Sequence, residues 1–265
     1  MHIKNGGAVR VSTSATKRDR CRRGLVPGKL LPMANTLTPA DELAKENPVR
    51  IEGESQEYRE ARTALLAAEI ELRRHIESVA AQRRALPPGP QITSHYQFLG
   101  EDGQHRTLAS LFGDRNTLII YTAMYGPKMK RSCPMCTNAV GPWNAIVPDV
   151  EQLATFVVVS RGEIEKLKSW KQERDWHNVR LYQDLGGEYS KDFFGVDADD
   201  NDNPALTVFT KKDSNVYLFW TAEMSGCTAD PGQDPRGAPD ASPLWSLLDL
   251  TPTGRPPKWY PKLNY

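Results

Sequence analysis

Cysteine is scarce in this 265-residue sequence. There are four, Cys21, Cys133, Cys136 and Cys227, and their spacing is uneven. That is too few and too irregular for a stapled secreted scaffold, so a reducing, cytoplasmic compartment is expected. Long hydrophobic runs are missing as well. The longest, "TLIIYTAMYG" and "ATFVVVS", fall far short of the ~20 residues that cross a bilayer, and no apolar stretch follows Met1. Neither a membrane span nor a secretory signal is expected. No GxGxxG, P-loop or HExxH motif occurs, which leaves nucleotide-cofactor and metalloprotease readings without support, and no cofactor is expected.

What is present is the composition of a globular chain, 39% hydrophobic and 25% charged, enough for one domain with extensions or at most two domains. The net charge of +1 hides an uneven distribution. The first 31 residues hold Lys4, Arg10, Lys17, Arg18, Arg20, Arg22, Arg23 and Lys29 against Asp19 alone. Such a start without aromatic residues or helical periodicity predicts a disordered extension rather than a targeting peptide or nucleic-acid arm. No nucleic-acid partner is expected. Composition becomes ordinary near Met33, an alternative translation start that intact mass would reveal. Residues 1 to 54 are thus read as largely disordered extension and linker.

Residues 55 to 86 read as a helical arm. From Ser55 to about Arg84 there is no Gly or Pro, and Ala, Leu, Glu and Arg dominate. Tyr58, Leu65, Leu72 and Val79 recur every seven positions, with Ala61, Ala68 and Ile76 beside them. The stripe predicts packing against the following domain, or self-association into a homo-oligomer through the helix. "LPPGP", residues 86 to 90, then stops the helix.

Beyond that linker, strands and helices alternate. "HYQFLGEDGQHRTLASLFG" reads as an edge strand, a turn and a short helix, "TLIIYTA" and "ATFVVVS" as buried strands, and "GEIEKLKSWKQERDW" as a helix before the strand "VRLYQDL". This order predicts a βαβ core with a largely parallel sheet. "ALTVFT" and "NVYLFW" form a hairpin across "KKDS", followed by the short helical "SPLWSLLDL" and a proline-rich tail over 258 to 265.

Between the two buried strands lies "KRSCPMC", residues 130 to 136. A CxxC that follows a strand and opens a helix favours dithiol redox chemistry. A thiolate is the attacking species, and unpaired N–H groups at a helix N-terminus stabilise it. Cys133 occupies that position, Pro134 suits the first helical turn, and Cys136 stands one turn on, placed to resolve a mixed disulfide. Lys128, Lys130 and Arg131 are candidate thiolate-stabilising cations, or simply a solvated loop. Zinc would want a second close pair of ligands, which the sequence lacks, so no metal is expected; thiols retained only for packing remain the bland alternative. Pro204, after Asn203, precedes the strand that enters the hairpin, and taken alone is a turn proline.

"YQFLGEDGQHRTLASLFGDRNTLIIYTAMYGPKMKRSCPMCTNAVGPWNAIVP", then "DFFGV" and "LLDLTPTGR", resemble the thioredoxin-like family catalogued as domain of unknown function 899, over about residues 55 to 257. "MYGP" before "CPMC" and the "DLTPTGR" ending are the most specific parts. The resemblance implies an α/β thioredoxin-like fold over 91 to 257, with a central mixed sheet flanked by helices and the long N-terminal helix ahead of it. It also implies that Pro204 is cis and faces the dithiol, so that Pro134, Met135, Asn203 and Pro204 shape the substrate groove. The pattern departs from thioredoxins proper, since the first strand lacks a buried acid and the central dipeptide is Pro-Met. The peroxiredoxin pattern Pro-x-x-x-Thr-x-x-Cys is absent, with Lys130 where Thr belongs, although "LYQDLGGEYSKDFFGV" resembles a peroxiredoxin insert.

The expected function is thiol-disulfide exchange, Cys133 attacking and Cys136 releasing, with a protein or small-molecule disulfide or thiol as partner. A redox-inactive binding module and a thiol-based peroxide sensor are the alternatives. "DADDND", residues 197 to 202, fails as a calcium loop because Asp202 stands at the required glycine, and it reads as a solvated acidic loop. Trp143, Trp170, Trp176, Trp220 and Trp245 read as core and rim packing. Cys227 reads as an exposed free thiol or a third redox partner.

Overall fold

The computed structural model describes residues 11–12, 37–222, 230–231, 241–253 and 259–265. Most of the basic extension, including Cys21 and Met33, and also Cys227, lies outside the described residues. The chain divides into two compact units, 1–85 and 86–265.

In the first unit, strand β1 (Val11–Ser12) pairs antiparallel with β2 (Arg50–Ile51). Helix α1 (Ala40–Glu46) and helix α2 (Gln56–Arg84) complete it. Ser55 caps α2, its side-chain oxygen accepting from the Tyr58 backbone N–H at 3.1 Å. Helix α1 falls within the span read as extension and linker and was not foreseen there: seven residues are too short for periodicity to register, and they are held by contact. Ala40 and Ala44 are buried against Ile70, with Leu66 and Ala67 of α2 packed beside them. The packed face of α2 is therefore not the expected stripe, whose Tyr58, Leu65, Leu72 and Ile76 are each half exposed or more.

The second unit is built on a seven-stranded sheet in the order β4-β3-β7-β6-β5-β8-β9. The strands are β3 (Gln97–Gly100), β4 (His105–Thr107), β5 (Thr117–Thr122), β6 (Thr155–Ser160), β7 (Arg180–Leu185), β8 (Ala205–Lys212) and β9 (Asn215–Thr221). Only β5–β6 and β6–β7 pair in parallel, and the other four pairings are antiparallel. The sheet is mixed, not largely parallel, because the parallel pairs are confined to the strands joined by helical crossovers, while hairpins add strands at both edges. With helices on both faces this is an α/β fold built on a central mixed sheet, the architecture expected.

Alternation along the strands loads the two faces differently. Leu118, Ile120, Val157 and Val159 point to one face, where Leu108 and Leu111 of α3 (Leu108–Leu111) and Tyr189 of α6 (Glu188–Asp192) cover them. Tyr121, Phe156, Val158 and Leu181 point to the other, beneath α4 (Pro134–Val150) and α5 (Ile164–Glu173). Helix α4 runs through Pro142 and Pro148 despite the donors they remove, with Cys136, Val140 and Val147 buried on its inner face. Helix α7 (Pro243–Asp249) carries the buried Trp245. The C-terminal residues are tied down rather than trailing, since Arg174 Nη1 donates to the Leu263 carbonyl at 2.7 Å and Trp259 meets Trp245 edge-on. Among the described residues, no helix is long and apolar enough to cross a membrane.

Candidate functional site

The crossover from β5 to β6 puts the dithiol at the C-terminal end of β5 and the N-terminus of α4. Cys133 is the N-cap of α4 in an extended conformation, and Pro134 follows in its first turn. The loop before it is pinned at both ends: Cys133 N donates to the Met124 carbonyl at 3.1 Å, and Met124 N donates to Cys136 Sγ at 3.4 Å. Thr137 holds the Cys133 carbonyl through both its backbone N–H and its hydroxyl. The two cysteines are unbridged thiols, Cys133 half-buried and Cys136 almost fully enclosed at 1% exposure.

Their environments drive the two thiols apart. Cys133 is pulled down from 9.0 to about 6, first by the hydrogen bond that the Cys136 thiol donates to it, against the opposing effect of burial, and then by the backbone N–H groups of Cys136 and Met135. Cys136 is pushed well above its usual range, because ionising it would cost that hydrogen bond, place charge in a buried site and set it beside Cys133. Two donors lean the other way, the Tyr121 hydroxyl and the Met124 N–H. Tyr121, wholly buried on β5, is thus the polar partner of Cys136 on the strand where the sequence offers no acid. Strand alternation could have pointed to it, as the polar-tipped residue on the same face as Ile119 and Ala123.

Lys128, Lys130 and Arg131 are all exposed, and the groups that shift the Cys133 thiol are Cys136 and the backbone N–H groups rather than these cations. Lys128 turns instead to the acidic loop, its Nζ donating to the Asp200 carbonyl at 2.8 Å and the Asp199 carbonyl at 3.2 Å. That loop is no solvated bystander. Asp202 Oδ2 accepts from Gly126 N at 2.6 Å, and Asp202 Oδ1 accepts from Arg161 Nε at 2.9 Å, while Arg161 also pairs with Asp200. The Arg161 and Asp202 side chains are only 10% and 5% exposed. A side chain on Gly126 would run into the Asp202 carboxylate, so a glycine there is what lets the loop before the dithiol close on the loop before Pro204. The Arg161–Asp202 clamp joins residues far apart in sequence and has no local signature.

Cys133, Met135, Cys136 and Pro204 line one cavity of about 270 Å³, with Tyr121 and Trp143 in its wall. Pro134 begins the helix behind it. Asn203 stands outside the lining, its side-chain amide donating to the Phe194 carbonyl at 2.9 Å and its backbone N–H to the Gly195 carbonyl. Of the tryptophans, Trp170 and Trp176 are buried in the core as expected, whereas Trp143 and Trp245 wall the cavity. No group of three or more His, Cys, Asp or Glu among the described residues is arranged to hold a metal ion.

Solved structures similar in fold include PrxQ from Xylella fastidiosa, with 14% identity, 51% of this chain and 84% of that chain covered, and a TM-score of 0.41. Peroxidoxin BcpB from Mycobacterium tuberculosis has 16% identity, 51% and 84% coverage and a TM-score of 0.40. The mitochondrial 2-cys peroxiredoxin from Plasmodium falciparum has 14% identity, 62% and 93% coverage and a TM-score of 0.39. No curated protein matches the chain in sequence. The bacterial family of unknown function DUF899 matches from residue 48 to residue 265, dithiol included, and the chain belongs to that family.

Proposed function

We propose that this protein is a thiol-disulfide oxidoreductase in which Cys133 is the nucleophile and Cys136 the resolving cysteine, working on a disulfide partner in a reducing compartment such as the cytoplasm. The single observation that supports this most is the opposed tuning of the pair: one thiol ionised near neutral pH at a helix N-terminus, the other buried, protonated and hydrogen-bonded to it. A thiol kept only for packing has no need of either shift.

The order of events follows from that geometry. The Cys133 thiolate attacks and enters a mixed disulfide. Its negative charge is then gone, and with it the hydrogen bond and the repulsion that held Cys136 protonated. Burial still opposes ionisation of Cys136, but the Tyr121 hydroxyl and the Met124 N–H already donate to its sulfur and favour the thiolate. Cys136 is inert until Cys133 has reacted and becomes the better nucleophile afterwards. Pro134, Met135 and Pro204 border the approach to Cys133, with Asn203 holding the turn into Pro204.

The test is the redox equilibrium of the pair in glutathione buffers, read by thiol alkylation and mass, with Cys133→Ser and Cys136→Ser as controls. A two-electron midpoint between about −270 and −180 mV is expected, the span of exchange catalysts from thioredoxin to disulfide isomerase. A pair that never forms a disulfide, or that holds stoichiometric zinc, would overturn the assignment.

A further inference from the structure

The exchange chemistry leaves the substrate open, and the cavity beside Cys133 narrows it. Besides the two cysteines, its wall is made by Met124, Ala139, Leu206 and Trp245 together with Trp143 and Met135, and among the described residues no Asp, Glu, Lys or Arg side chain contributes. Its polar side chains among the described residues are Asn138, Ser242 and the Tyr121 hydroxyl. The segment that begins α7 closes one side. Trp143 Nε1 donates to the Ala241 carbonyl at 3.1 Å, which fixes that segment over the inner end of α4 and turns an open groove into a recess. A second apolar recess of about 180 Å³ continues from it, sharing Trp143, Leu206 and Ala241 and running along Ile146 and Val150.

An apolar cavity of about 150 Å³ is enough to hold benzene. The recess therefore takes an alkyl chain or an aromatic ring, and it is too small for a folded polypeptide surface. Among the described residues a charged substituent would meet no counter-charge there and too few hydrogen-bond partners, at a desolvation cost that disfavours it. Met124 and Met135 add adaptable walls that fit irregular apolar groups.

We propose that this cavity binds the neutral alkyl or aryl substituent of a low-molecular-weight disulfide and presents its sulfur pair to Cys133. The inference rests on the exchange reading above. In the step, the Cys133 sulfur bonds to one substrate sulfur as the substrate S–S bond breaks, and the leaving thiolate takes a proton from solvent. Cys136 then gives up its proton and bonds to the Cys133 sulfur. The mixed disulfide breaks and the second thiol departs protonated. The substrate gains two electrons from the protein pair and two protons, one from solvent and one from Cys136, and a dithiol reductant restores the pair.

The experiment uses the reduced full-length protein and a homologous series of symmetrical dialkyl disulfides from methyl to butyl, followed by protein oxidation. Leaving-thiol acidity is nearly constant across the series, so only fit to the cavity varies. The second-order rate constant should rise about fourfold for each methylene buried, until the recess is full. Glutathione disulfide and cystamine, both charged, should be slower than the dipropyl compound. Ala139→Phe and Trp245→Ala, which fill and open the recess, should each flatten the dependence on chain length. A rate independent of chain length would overturn the cavity assignment while leaving exchange intact. Failure of every disulfide to oxidise the pair would instead overturn the exchange reading. Faster oxidation by alkyl hydroperoxides of matched length would reassign the recess to a peroxide and overturn the disulfide class.

Discussion

The two faces of the central sheet are made from the same strands and filled by the same kinds of residue, yet only one is equipped for chemistry. On the face covered by α3 and α6, Tyr96, Tyr189, Phe193 and Phe209 interlock through edge-to-face and tilted contacts, with ring centroids 5.0 to 6.3 Å apart. Its buried acid, Asp184, accepts from both the backbone and the hydroxyl of Ser190, so its hydrogen bonding is local. On the face covered by α4 and α5, aromatic contacts are just as close, Tyr121 with Trp143 at 5.0 Å and Trp170 with Trp176 at 4.8 Å. The difference is that this second layer stops short at the N-terminus of α4, and the space left there holds two thiols. Packing supplies stability on both sides; unfilled room beside a helix N-terminus is what gives one side its candidate site.

The largest separation between the faces should come from Cys133→Ser, which is expected to return disulfide reduction to the uncatalysed rate with no loss of fold, as measured by turnover alongside circular dichroism. Cys136→Ser should instead accumulate the mixed disulfide on Cys133, visible as an added mass. The converse experiment strikes the closed face. Phe209→Ala removes a fully buried ring and should cost about 3–5 kcal/mol in denaturant unfolding, while Cys133 in the folded protein ionises as before. A shift in its ionisation would mean that the faces are coupled.

Smaller effects sharpen the picture of the reactive side. Arg161→Met leaves Asp202 without its cationic partner, with only the Gly126 N–H still donating, and should lower stability by about 1.5–3 kcal/mol, with a slower rate of exchange as the two loops part. Smallest is Tyr121→Phe, which keeps the ring and deletes one donor to Cys136. Resolution of the mixed disulfide should slow by about twofold to tenfold, with the first attack by Cys133 unaffected. Equal slowing of both steps would argue that Tyr121 acts on packing rather than on the sulfur.

Much of this molecule could be read along the chain. Helix α2 was legible because thirty residues without Gly or Pro leave no competing state, and β5 and β6 because their apolar runs are too short for a helix and too long for a loop. The dithiol was legible because CxxC after a buried strand fixes its own place at a helix start. Helix α1 was not, since its two buried alanines gain meaning only against Ile70. The contact of α2 with α1 was missed for a related reason: Tyr58, Leu65 and Leu72 have the stronger spacing, but Leu66, Ala67 and Ile70 have the neighbour. Lys128 was offered to the thiolate by sequence proximity, whereas the partners it meets lie some seventy residues further on, the Asp199 and Asp200 carbonyls and the Asp200 carboxylate. Tyr121 and Arg161 took their roles from strand register and loop closure, which no window of sequence contains.

One consequence of the opposed thiols is a pH dependence of stability in the reduced protein. Between about 6 and 9 the unfolded chain keeps the Cys133 proton that the folded chain has lost, so stability rises with pH across that window. Above it the sign reverses, as unfolding frees Cys136 to ionise. The most direct test of the central claim, that Cys133 is a preformed thiolate, is the pH dependence of its alkylation by iodoacetamide in the reduced wild-type protein, with the modified residue identified by mass. The rate should rise with pH through a midpoint of about 6, with Cys136 unmodified. A midpoint at the ordinary thiol value near 9.0, or equal labelling of both cysteines, would contradict it.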